Sequence, residues 1–496
     1  MGLSRRAAVV ASGRVATTAS ILIVNALLAR AWAPGVFGHF SAIWVLGNTL
    51  VPFFLLGIPG ALLYTLPRQD PDRRPRLLLQ TSLVLALSGI VLCLAVWIGT
   101  PYIARHVEDL SVPLLRDQLL AFLPYVFCLV AGGHAEAALV AAGRHVWQAI
   151  VAWLGAAVVI GGASAAWALG WSVQETFLVL SAAGVARLLF AYVALLRVGM
   201  CAGGDSAGLT GFLRYAVTIG VGEGVGSVSR SVDRLVVLLF LDPDRLGVYH
   251  LGAIEVPVSL ILASLVTVMV PEVSRLMAAE RHGQVADLFR MAVVRLSWLI
   301  LPLFFFLFVF TDDVMRLYLP AAYADSAGVF RCFLLMLPLR CAVYNPILVG
   351  SGRAGWALAG SVGDLVLNGL MSVGLVLWLR EAHPGWSMLG PAVATVVATH
   401  LQVAGLLLVI AHLVRRPFWQ LVPWGHLVRV SVFALIAALL SHWVMQTLFD
   451  MTLVRVLAGG MLTALLAFLV PAWLFVDDRR QLREIIAALR QRESVA

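Results

Sequence analysis

Residues 211–275 read GFLRYAVTIGVGEGVGSVSRSVDRLVVLLFLDPDRLGVYHLGAIEVPVSLILASLVTVMVPEVSR. Two long apolar segments lie in this stretch, and a short polar Asp-Pro-Asp-Arg turn joins them. The first segment carries four ionisable residues where a helix would pass through lipid: Glu223, Arg230, Asp233 and Arg234. Ionisable side chains are costly in hydrocarbon, so they normally face a protein interior or a wet cavity and mark a pathway. The stretch therefore predicts a membrane hairpin whose first helix turns its charges away from lipid.

The composition of the whole chain agrees with a membrane environment. The chain has 496 residues, of which 61% are hydrophobic and only 12% are charged. A soluble protein is typically about 45–50% apolar and about 25% charged. Because no water-soluble fold could bury this much apolar surface, the bilayer must be the solvent. The composition predicts an all-α polytopic membrane protein.

The positive charge of the chain comes from one residue type. All 35 basic residues are arginine, and the formal net charge is +9. The absence of lysine excludes a Walker-type phosphate loop and a Schiff-base lysine, since both need that amine. The arginines are spread over short loops and apolar segments, so we expect no nucleic-acid partner. The five cysteines have neither metal-ligand nor redox spacing, and we expect no metal site and no cofactor.

Apolar segments of membrane-spanning length recur along the chain. A helix needs about 20 apolar residues to cross the hydrocarbon core. By this rule we predict fourteen transmembrane helices, near residues 13–33, 40–64, 77–99, 118–141, 147–169, 174–198, 211–241, 246–274, 288–311, 326–349, 356–379, 388–412, 426–448 and 453–476. Most loop arginines, among them Arg73 and Arg144, fall on the side of these helices that also holds the two termini. The positive-inside rule then places both termini in the cytoplasm.

Two motif pairs recur at one spacing. The segment Pro34-Gly-Val-Phe-Gly-His-Phe40 matches Pro243-Asp-Arg-Leu-Gly-Val-Tyr249, at an offset of 209 residues (243 minus 34). Residues 139–147 match residues 348–356 in the pattern Leu-Val-x-x-Gly-Arg-x-x-Trp, again at an offset of 209. Two matches with the same offset indicate a tandem duplication of six helices. Since six is even, the two copies have the same orientation in the membrane.

The duplication divides the chain into parts. We predict an N-terminal six-helix bundle over residues 1–208, a C-terminal six-helix bundle over 209–417, and two additional transmembrane helices over 418–476. In the tail over 477–496, leucine and isoleucine recur at helical spacing with arginines between them. This pattern predicts a cytoplasmic amphipathic helix on the anionic inner leaflet, and a frayed, solvated tail is the alternative.

The charged residues of the seventh predicted helix suggest a binding surface for an anion. Arg230 lies three residues before Asp233 and four before Arg234, so on a continuous helix the three share a face. Glu223 lies two turns earlier on nearly the same stripe. Two cations beside one acid leave net positive charge, which a phosphate or pyrophosphate could compensate. The alternatives are a closed salt-bridge cluster that fixes helix packing, and arginines that snorkel to water from the helix end.

Other predicted helices also carry ionisable residues. Those in mid-helix cannot easily reach water and are candidates for a cationic cavity, whereas those near helix ends can snorkel. The full set of candidate substrate-binding residues is Arg187, Arg230, Asp233, Arg234, Arg331, Arg30 and Arg340. The candidates for coupling transport to an ion are Glu255, Asp364 and Glu223, which could instead form internal ion pairs.

Small and polar residues inside the helices have a simpler interpretation. Gly220, Gly222, Gly224 and Gly226 favour close helix packing, with a bending point as the alternative. For Glu136 and the histidines inside apolar segments we also favour packing roles.

The chain resembles the polysaccharide-transporter branch of the multidrug/oligosaccharidyl-lipid/polysaccharide exporter superfamily, the Wzx-like O-antigen and exopolysaccharide flippases. The most specific match is Ser231-Val-Asp-Arg-Leu followed by Leu241-Asp-Pro-Asp-Arg-Leu-Gly-Val-Tyr249. It is similar to the family's pattern of an acid near the end of the seventh helix, then a short turn and Gly-x-Tyr opening the eighth. The Gly-Arg pairs at 143–144 and 352–353 are also similar to the family.

This resemblance implies a protein of the bacterial inner (plasma) membrane with two MATE-like six-helix bundles around a central cavity. The cavity would open alternately to each side of the membrane. It implies that the protein flips undecaprenyl-pyrophosphate-linked oligosaccharide repeat units for exopolysaccharide, capsule or O-antigen biosynthesis. The implied partners are this lipid-linked glycan, the lipid bilayer, and the polysaccharide polymerase and export machinery. By motif position the resemblance assigns roles only to Asp233 and Arg234.

Other functions remain open alternatives. A multidrug or organic-cation antiporter of the same superfamily would need a cavity dominated by acids, and here buried arginines outnumber buried acids. A lipid II flippase also fits fourteen helices. A membrane enzyme usually needs a sizeable outer loop with catalytic groups, and the chain has neither that loop nor the common enzyme motifs, so we expect no enzyme. A scaffold that does not transport would tolerate the loss of cavity charges.

Overall fold

The computed structural model describes residues 3–104, 112–201 and 208–474. Within these ranges the chain is helical and contains no strand, as the composition predicts. The predicted amphipathic tail over 477–496 lies outside the described residues. The chain divides into two compact units, Met1–His250 and Leu251–Ala496, which we call the first and the second unit. The repeat boundary at 208/209 remains a prediction about the ancestry of the chain.

The described part of the first unit contains eleven α-helices, counting one that crosses its end. They are α1 (Leu3–Ala31), α2 (Pro34–Phe54), α3 (Ile58–Thr65), α4 (Arg74–Ala104), α5 (Val112–Ala131), α6 (Ala135–Ala141), α7 (His145–Leu169), α8 (Val173–Arg197), α9 (Leu209–Ser229), α10 (Val232–Phe240) and α11 (Pro243–Gly252). Local sequence signals set several of these starts. Proline is the first residue of α2 and α11, where its missing N–H is not needed. A capping box joins Ser172 and Glu175 at the start of α8.

The second unit continues with the remaining helices. They are α12 (Ser259–Ala278), α13 (His282–Val309), α14 (Thr311–Tyr318), α15 (Ser326–Leu334), α16 (Tyr344–Gly350), α17 (Ala354–Ala382), α18 (Leu389–Leu413), α19 (Phe418–Leu421), α20 (Trp424–Leu448) and α21 (Thr452–Leu474). The last two long helices pack on each other and on α13. A buried ion pair supports this packing, since Arg455 Nη2 lies 3.3 Å from Oδ1 of Asp313, whose side chain is only 5% exposed.

The predicted number of fourteen transmembrane helices is not confirmed. In the part of the chain that the structure describes, eleven helices are long and apolar enough to cross a membrane, and a bent pair over 326–350 makes up to twelve. Of the two other predicted helices, 211–241 is interrupted between α9 and α10, and 246–274 is interrupted over residues 253–258, before α12. Non-helical backbone at membrane depth requires burial in protein or a wet cavity, so these breaks indicate specialised segments.

The two copies of the repeated Leu-Val-x-x-Gly-Arg motif have the same local geometry. Helices α6 and α16 begin at residues 135 and 344 and end at 141 and 350, so both ends differ by the repeat offset of 209. Gly143 and Gly352, which follow them, have φ of 75° and 72°. In each copy the N–H of the next arginine donates to the leucine carbonyl five residues earlier, at 2.8 Å. This is a helix C-terminal cap that needs glycine in the left-handed region.

The two copies of the other motif contact each other within the first unit. A Cβ atom built on Gly38 in α2 would lie 1.8 Å from the carbonyl oxygen of Pro243. The reciprocal contact has the same form, since a Cβ atom on Gly247 in α11 would lie 2.3 Å from the carbonyl oxygen of Pro34. Each repeated glycine therefore makes room for the first turn of the other copy's helix.

The glycines of α9 mainly serve packing. A Cβ atom on Gly220 would lie 2.5 Å from the backbone of Leu56, and one on Gly224 would lie 2.5 Å from the ring of Phe53. These two glycines, four residues apart, let α9 approach the end of α2. The packing interpretation therefore holds for these two positions.

Both units have large apolar side chains that are exposed on their surfaces. Ile98, Leu370 and Met461 are 74%, 70% and 69% exposed. In contrast, Phe177 and Phe310 are fully buried in the interiors of their units. An apolar exterior of this kind suits lipid as the surrounding solvent.

Candidate functional site

The first unit encloses a cavity of about 330 Å³. Side chains of α1, α2, α5, α7 and α8 line it, together with His250 at the end of the unit. This volume is near the lower end of the range of roughly 300–1,000 Å³ that is usual for small-molecule pockets. Most of the wall is apolar, and a few polar groups point to a defined ligand: Thr17, Ser20, Asn25, Asn48, Tyr125 and Arg187.

Arg187 supplies positive charge to this cavity. Its Nη2 atom donates to Oε1 of Glu136 at 2.9 Å, and Nε2 of Gln148 donates to the other oxygen of that carboxylate at 3.2 Å. The Nε atom of Arg187 is buried and has no hydrogen-bond partner among the described residues. Gly155 gives the side chain its space, since a Cβ atom there would lie 3.0 Å from Nε. Arg187 is thus held by one carboxylate and keeps a donor for another acceptor.

An aromatic wall forms one side of the cavity. The rings of Phe40 and Trp44 are nearly parallel at an interplanar angle of 20°, and their centroids are 5.5 Å apart. Trp44 and Tyr125 are similarly arranged, at 25° and 5.6 Å. At these centroid separations parallel rings are laterally offset, so each ring covers only part of its neighbour. We call Phe40, Trp44 and Tyr125 the aromatic wall.

Two nearly buried polar groups on the cavity have unused hydrogen-bonding capacity. Asn25 and Tyr125 are each 9% exposed. Within the described part of the chain, neither the Asn25 carboxamide nor the Tyr125 hydroxyl has a hydrogen-bond partner. Asn48 donates to the carbonyl oxygen of Trp44 at 2.9 Å. The Asn25 amide and the Tyr125 hydroxyl are therefore open to the cavity and can bond to water or to a polar ligand there.

The charged residues of the seventh predicted helix differ in their surroundings. Because α9 ends at Ser229 and α10 begins at Val232, Arg230 lies in the break and is exposed. Asp233 is only 2% exposed and accepts a hydrogen bond from the Tyr249 hydroxyl at 2.8 Å. The common face of these residues stays a prediction.

The other predicted site residues of the first unit lie apart from the cavity lining. Arg234 is half-buried in α10, and Glu223 is exposed on α9. Arg30 is exposed in the last turn of α1, where its Nη1 donates to the carbonyl oxygen of Ala26 at 2.8 Å. Of the residues predicted to bind substrate, Arg187 alone is among the described cavity-lining residues.

In the second unit two of the predicted arginines form ion pairs. Arg331 in α15 lies 2.9 Å from Asp312 in α14. Arg340 lies 2.9 Å from Glu255. Both members of this second pair occupy breaks, Glu255 between α11 and α12 and Arg340 between α15 and α16. The ion pair thus joins two interrupted segments.

Asp364 lies half-buried in α17, near the middle of a long helix. The Thr399 hydroxyl of α18 donates to its Oδ1 at 3.5 Å. Among the residues that the structure describes, no group of three histidine, cysteine or acidic side chains is placed to hold a metal ion.

Sequence reasoning did not identify three groups of this site. The sequence favours a packing role for Glu136 and does not distinguish Asn25 or Tyr125 from other polar residues. A carboxylate in an apolar helix was the available signal for Glu136, since such a group needs a cationic partner. Polar residues such as Asn25 gave no signal, because their function depends on which helices meet around the cavity.

The fold of the chain is similar to that of known membrane transporters. A solved structure of the lipid II flippase MurJ in an inward closed conformation has a TM-score of 0.71 at 13% identity, covering 93% of this chain and 99% of that one. An inward-facing multidrug resistance MATE family transporter of the MOP superfamily has a TM-score of 0.65 at 14% identity, covering 80% and 95%. A MOP superfamily transporter from Pyrococcus furiosus has a TM-score of 0.59 at 13% identity, covering 83% and 95%. These likenesses show that the chain has the helical fold of these membrane proteins.

The sequence narrows this class to one family. The profile of the family described as "Polysaccharide biosynthesis protein" matches residues 27–328, which is more than half of the chain. The protein belongs to this family. A comparison with curated proteins finds no match. Family and fold together confirm the resemblance to polysaccharide flippases of the superfamily.

Proposed function

We propose that the protein flips undecaprenyl-pyrophosphate-linked oligosaccharide repeat units across the bacterial inner membrane by alternating access. The units would serve exopolysaccharide, capsule or O-antigen biosynthesis. Membership of a polysaccharide biosynthesis family supports the substrate class. The fold similarity to a lipid II flippase supports a lipid-linked substrate, because that protein is named for such a molecule.

One observation carries the assignment of the site: Arg187 lines the cavity with its side chain 32% exposed, and Nη2 alone of its nitrogens is paired within the described residues. An arginine can donate to a carboxylate and to a second anion at the same time, because its guanidinium has five N–H groups in a planar fork. A phosphate oxygen is the strongest acceptor that a lipid-linked glycan offers. We therefore propose that Arg187 contacts the pyrophosphate and that Glu136 and Gly155 position it.

The remaining predicted residues keep separate roles in this proposal. Arg230 is exposed in the break after α9 and is a candidate for the first contact with the substrate headgroup. Arg234 is half-buried and is a candidate for a contact later in transport. Asp233 is better suited to packing, since Tyr249 occupies one of its oxygens. Arg30, at a helix end, suits the phosphate level of the bilayer.

The arginines of the second unit are also candidates for substrate binding. Arg340 and Arg331 each hold a carboxylate at 2.9 Å through one nitrogen, so their other N–H groups can meet a substrate phosphate. For ion coupling, Asp364, to which the Thr399 hydroxyl donates, and Glu223 remain the candidates. Glu255 would couple only when released from Arg340.

Two alternatives have less support. An organic-cation antiporter would expose an acid to its ligand, whereas the charged residue on this cavity is an arginine and Glu136 is held by two donors. The substrate of a lipid II flippase would carry the same lipid-linked pyrophosphate and differ in its glycan. The family description favours polysaccharide units over that substrate.

The test is glycan export in a strain that lacks its own flippase. The double variant Arg187→Met with Glu136→Gln removes both charges of the pair, so neither partner is left as a buried lone charge. We expect export to fall about 10- to 100-fold, as for the loss of a charge-assisted hydrogen bond. Lipid-linked repeat units should accumulate on the inner side.

The matched control is Arg275→Met with Glu272→Gln, an exposed Arg–Glu pair on α12. It should export like the wild type. Normal export by the Arg187/Glu136 variant at equal expression would contradict the role of Arg187. Failure of the wild type to export, together with resistance to cationic drugs, would instead establish the antiporter.

A further inference from the structure

We propose that the cavity of the first unit is a subsite for one uncharged sugar ring of the transported glycan. The ring would lie against the aromatic wall of Phe40, Trp44 and Tyr125, and its hydroxyls would bond to Asn25 and to the Tyr125 hydroxyl. This inference rests on the proposed function, since it specifies which part of a lipid-linked glycan enters the cavity.

The size of the cavity limits what it can hold. At about 330 Å³ it is far larger than the share of about 30 Å³ that one water molecule occupies in the liquid. It lies near the lower end of the range of roughly 300–1,000 Å³ for small-molecule pockets, so it suits one ring better than a whole oligosaccharide. A ring-sized group attached to a longer chain fits this volume.

The chemistry of the walls matches a sugar ring on two sides. One face of a pyranose carries mainly C–H groups, which pack well on offset aromatic rings such as Trp44 and Tyr125. The rim of the ring carries hydroxyls, each of which both donates and accepts hydrogen bonds. Asn25 and the Tyr125 hydroxyl offer that capacity, are nine-tenths buried, and have no partner within the described residues.

Other occupants leave part of this cavity unmatched. A lipid acyl chain would cover the aromatic wall but would leave Asn25 and the Tyr125 hydroxyl without partners, which is unfavourable. An organic cation could lie over the aromatic rings but would meet the charge of Arg187, while Glu136 is already bound to Arg187 and Gln148. A sugar ring linked to a phosphate can pack on the aromatic wall, bond to the Asn25 amide and place its phosphate near Arg187.

The test is saturation-transfer-difference NMR on the full chain in lipid nanodiscs. The probes are the methyl glycosides of glucose, galactose, mannose, rhamnose and N-acetylglucosamine, with tetraphenylphosphonium as a cationic competitor. With the wild type we expect saturation transfer to the ring protons of at least one glycoside, and no displacement by the cation.

Four variants separate the cavity from the rest of the molecule. Trp44→Leu removes the ring and Asn25→Leu removes the amide at nearly constant size, and each should lower the transfer about fivefold. Trp44→Phe keeps an aromatic ring and should retain most of the saturation transfer. Trp167→Leu is the matched control, since Trp167 is 51% exposed on α7 and does not line the cavity.

Two results would overturn the inference: no saturation transfer to any glycoside with the wild type, or unchanged transfer in both Trp44→Leu and Asn25→Leu. Displacement of the glycoside by tetraphenylphosphonium would also overturn it, in favour of a cation site. Glycan export by the same wild-type protein separates the two proposals. Export without glycoside binding refutes the subsite alone, and absence of both refutes the proposed function as well.

Discussion

Asp233 shows how a motif residue acquires its meaning from a contact. In the sequence it belongs to a charged group beside Arg230, and the family resemblance pairs it with a Gly-x-Tyr element further along the chain. In the structure the Tyr249 hydroxyl donates to Asp233 at 2.8 Å, and Tyr249 is fully buried. The two halves of the motif are therefore joined by one hydrogen bond, which ties α10 to α11.

This contact leads to a stability prediction for Tyr249→Phe. The substitution removes the hydroxyl and leaves a buried carboxyl group without that donor, so we expect a loss of about 1–3 kcal/mol in the free energy of unfolding. The melting temperature of the purified protein, followed by size-exclusion fluorescence, measures it. Tyr215→Phe is the control, because Tyr215 is 42% exposed. Equal melting temperatures for the two variants would show that the hydrogen bond contributes nothing.

Among the elements, the broken helices are the part of the fold that hydropathy described least well. The apolar runs over 211–241 and 246–274 predict continuous helices, but both are interrupted. Ionisable residues occupy these interruptions, with Arg230 in the first and Glu255 in the second. Hydropathy averages over a window of residues, so it detects a membrane segment and misses a local break inside it. In contrast, the ends of α6 and α16 follow the repeat offset because glycine caps are local signals.

The reciprocal packing of α2 and α11 gives a prediction for Gly38→Ala. A Cβ atom would meet the carbonyl oxygen of Pro243 at 1.8 Å, so the helices must separate, at a cost of about 1–3 kcal/mol. The fraction of protein that elutes as a single species after solubilisation should fall. Gly222→Ala is the control: no described atom lies within 4 Å of its Cβ position, and alanine stabilises a helix relative to glycine by about 0.5–1 kcal/mol. If both variants elute alike, the close approach of α2 and α11 is not required for folding.

For the whole molecule, the arrangement in the membrane follows from charge and from the number of crossings. The positive-inside rule predicts a cytoplasmic loop before α4 and an outer loop between α17 and α18. This arrangement holds when both interrupted segments, 211–241 and 246–274, cross the membrane and when neither does. The bent pair of α15 and α16 does matter, because the outer position of the later loop requires that it cross the membrane.

Cysteine labelling tests this arrangement. In a variant whose five native cysteines are replaced by alanine, Gly385→Cys should react with a membrane-impermeant maleimide in intact spheroplasts. Asp72→Cys, which is exposed before α4, should react only after the membrane is permeabilised. Labelling of Gly385→Cys only after permeabilisation would show that the bent pair does not cross.

The sequence by itself determined the membrane class, the position of most helices and the existence of the two repeated motifs. Hydropathy, proline at helix starts and glycine at caps act over a few residues, so they can be read without the fold. Only the tertiary structure decided which charges are paired and which polar groups surround a cavity. Arg187 and Glu136 are 51 residues apart in the chain, and Arg340 and Glu255 are 85 apart. Such contacts depend on which helices meet, and burial then leaves each polar group with the partners that its neighbours supply.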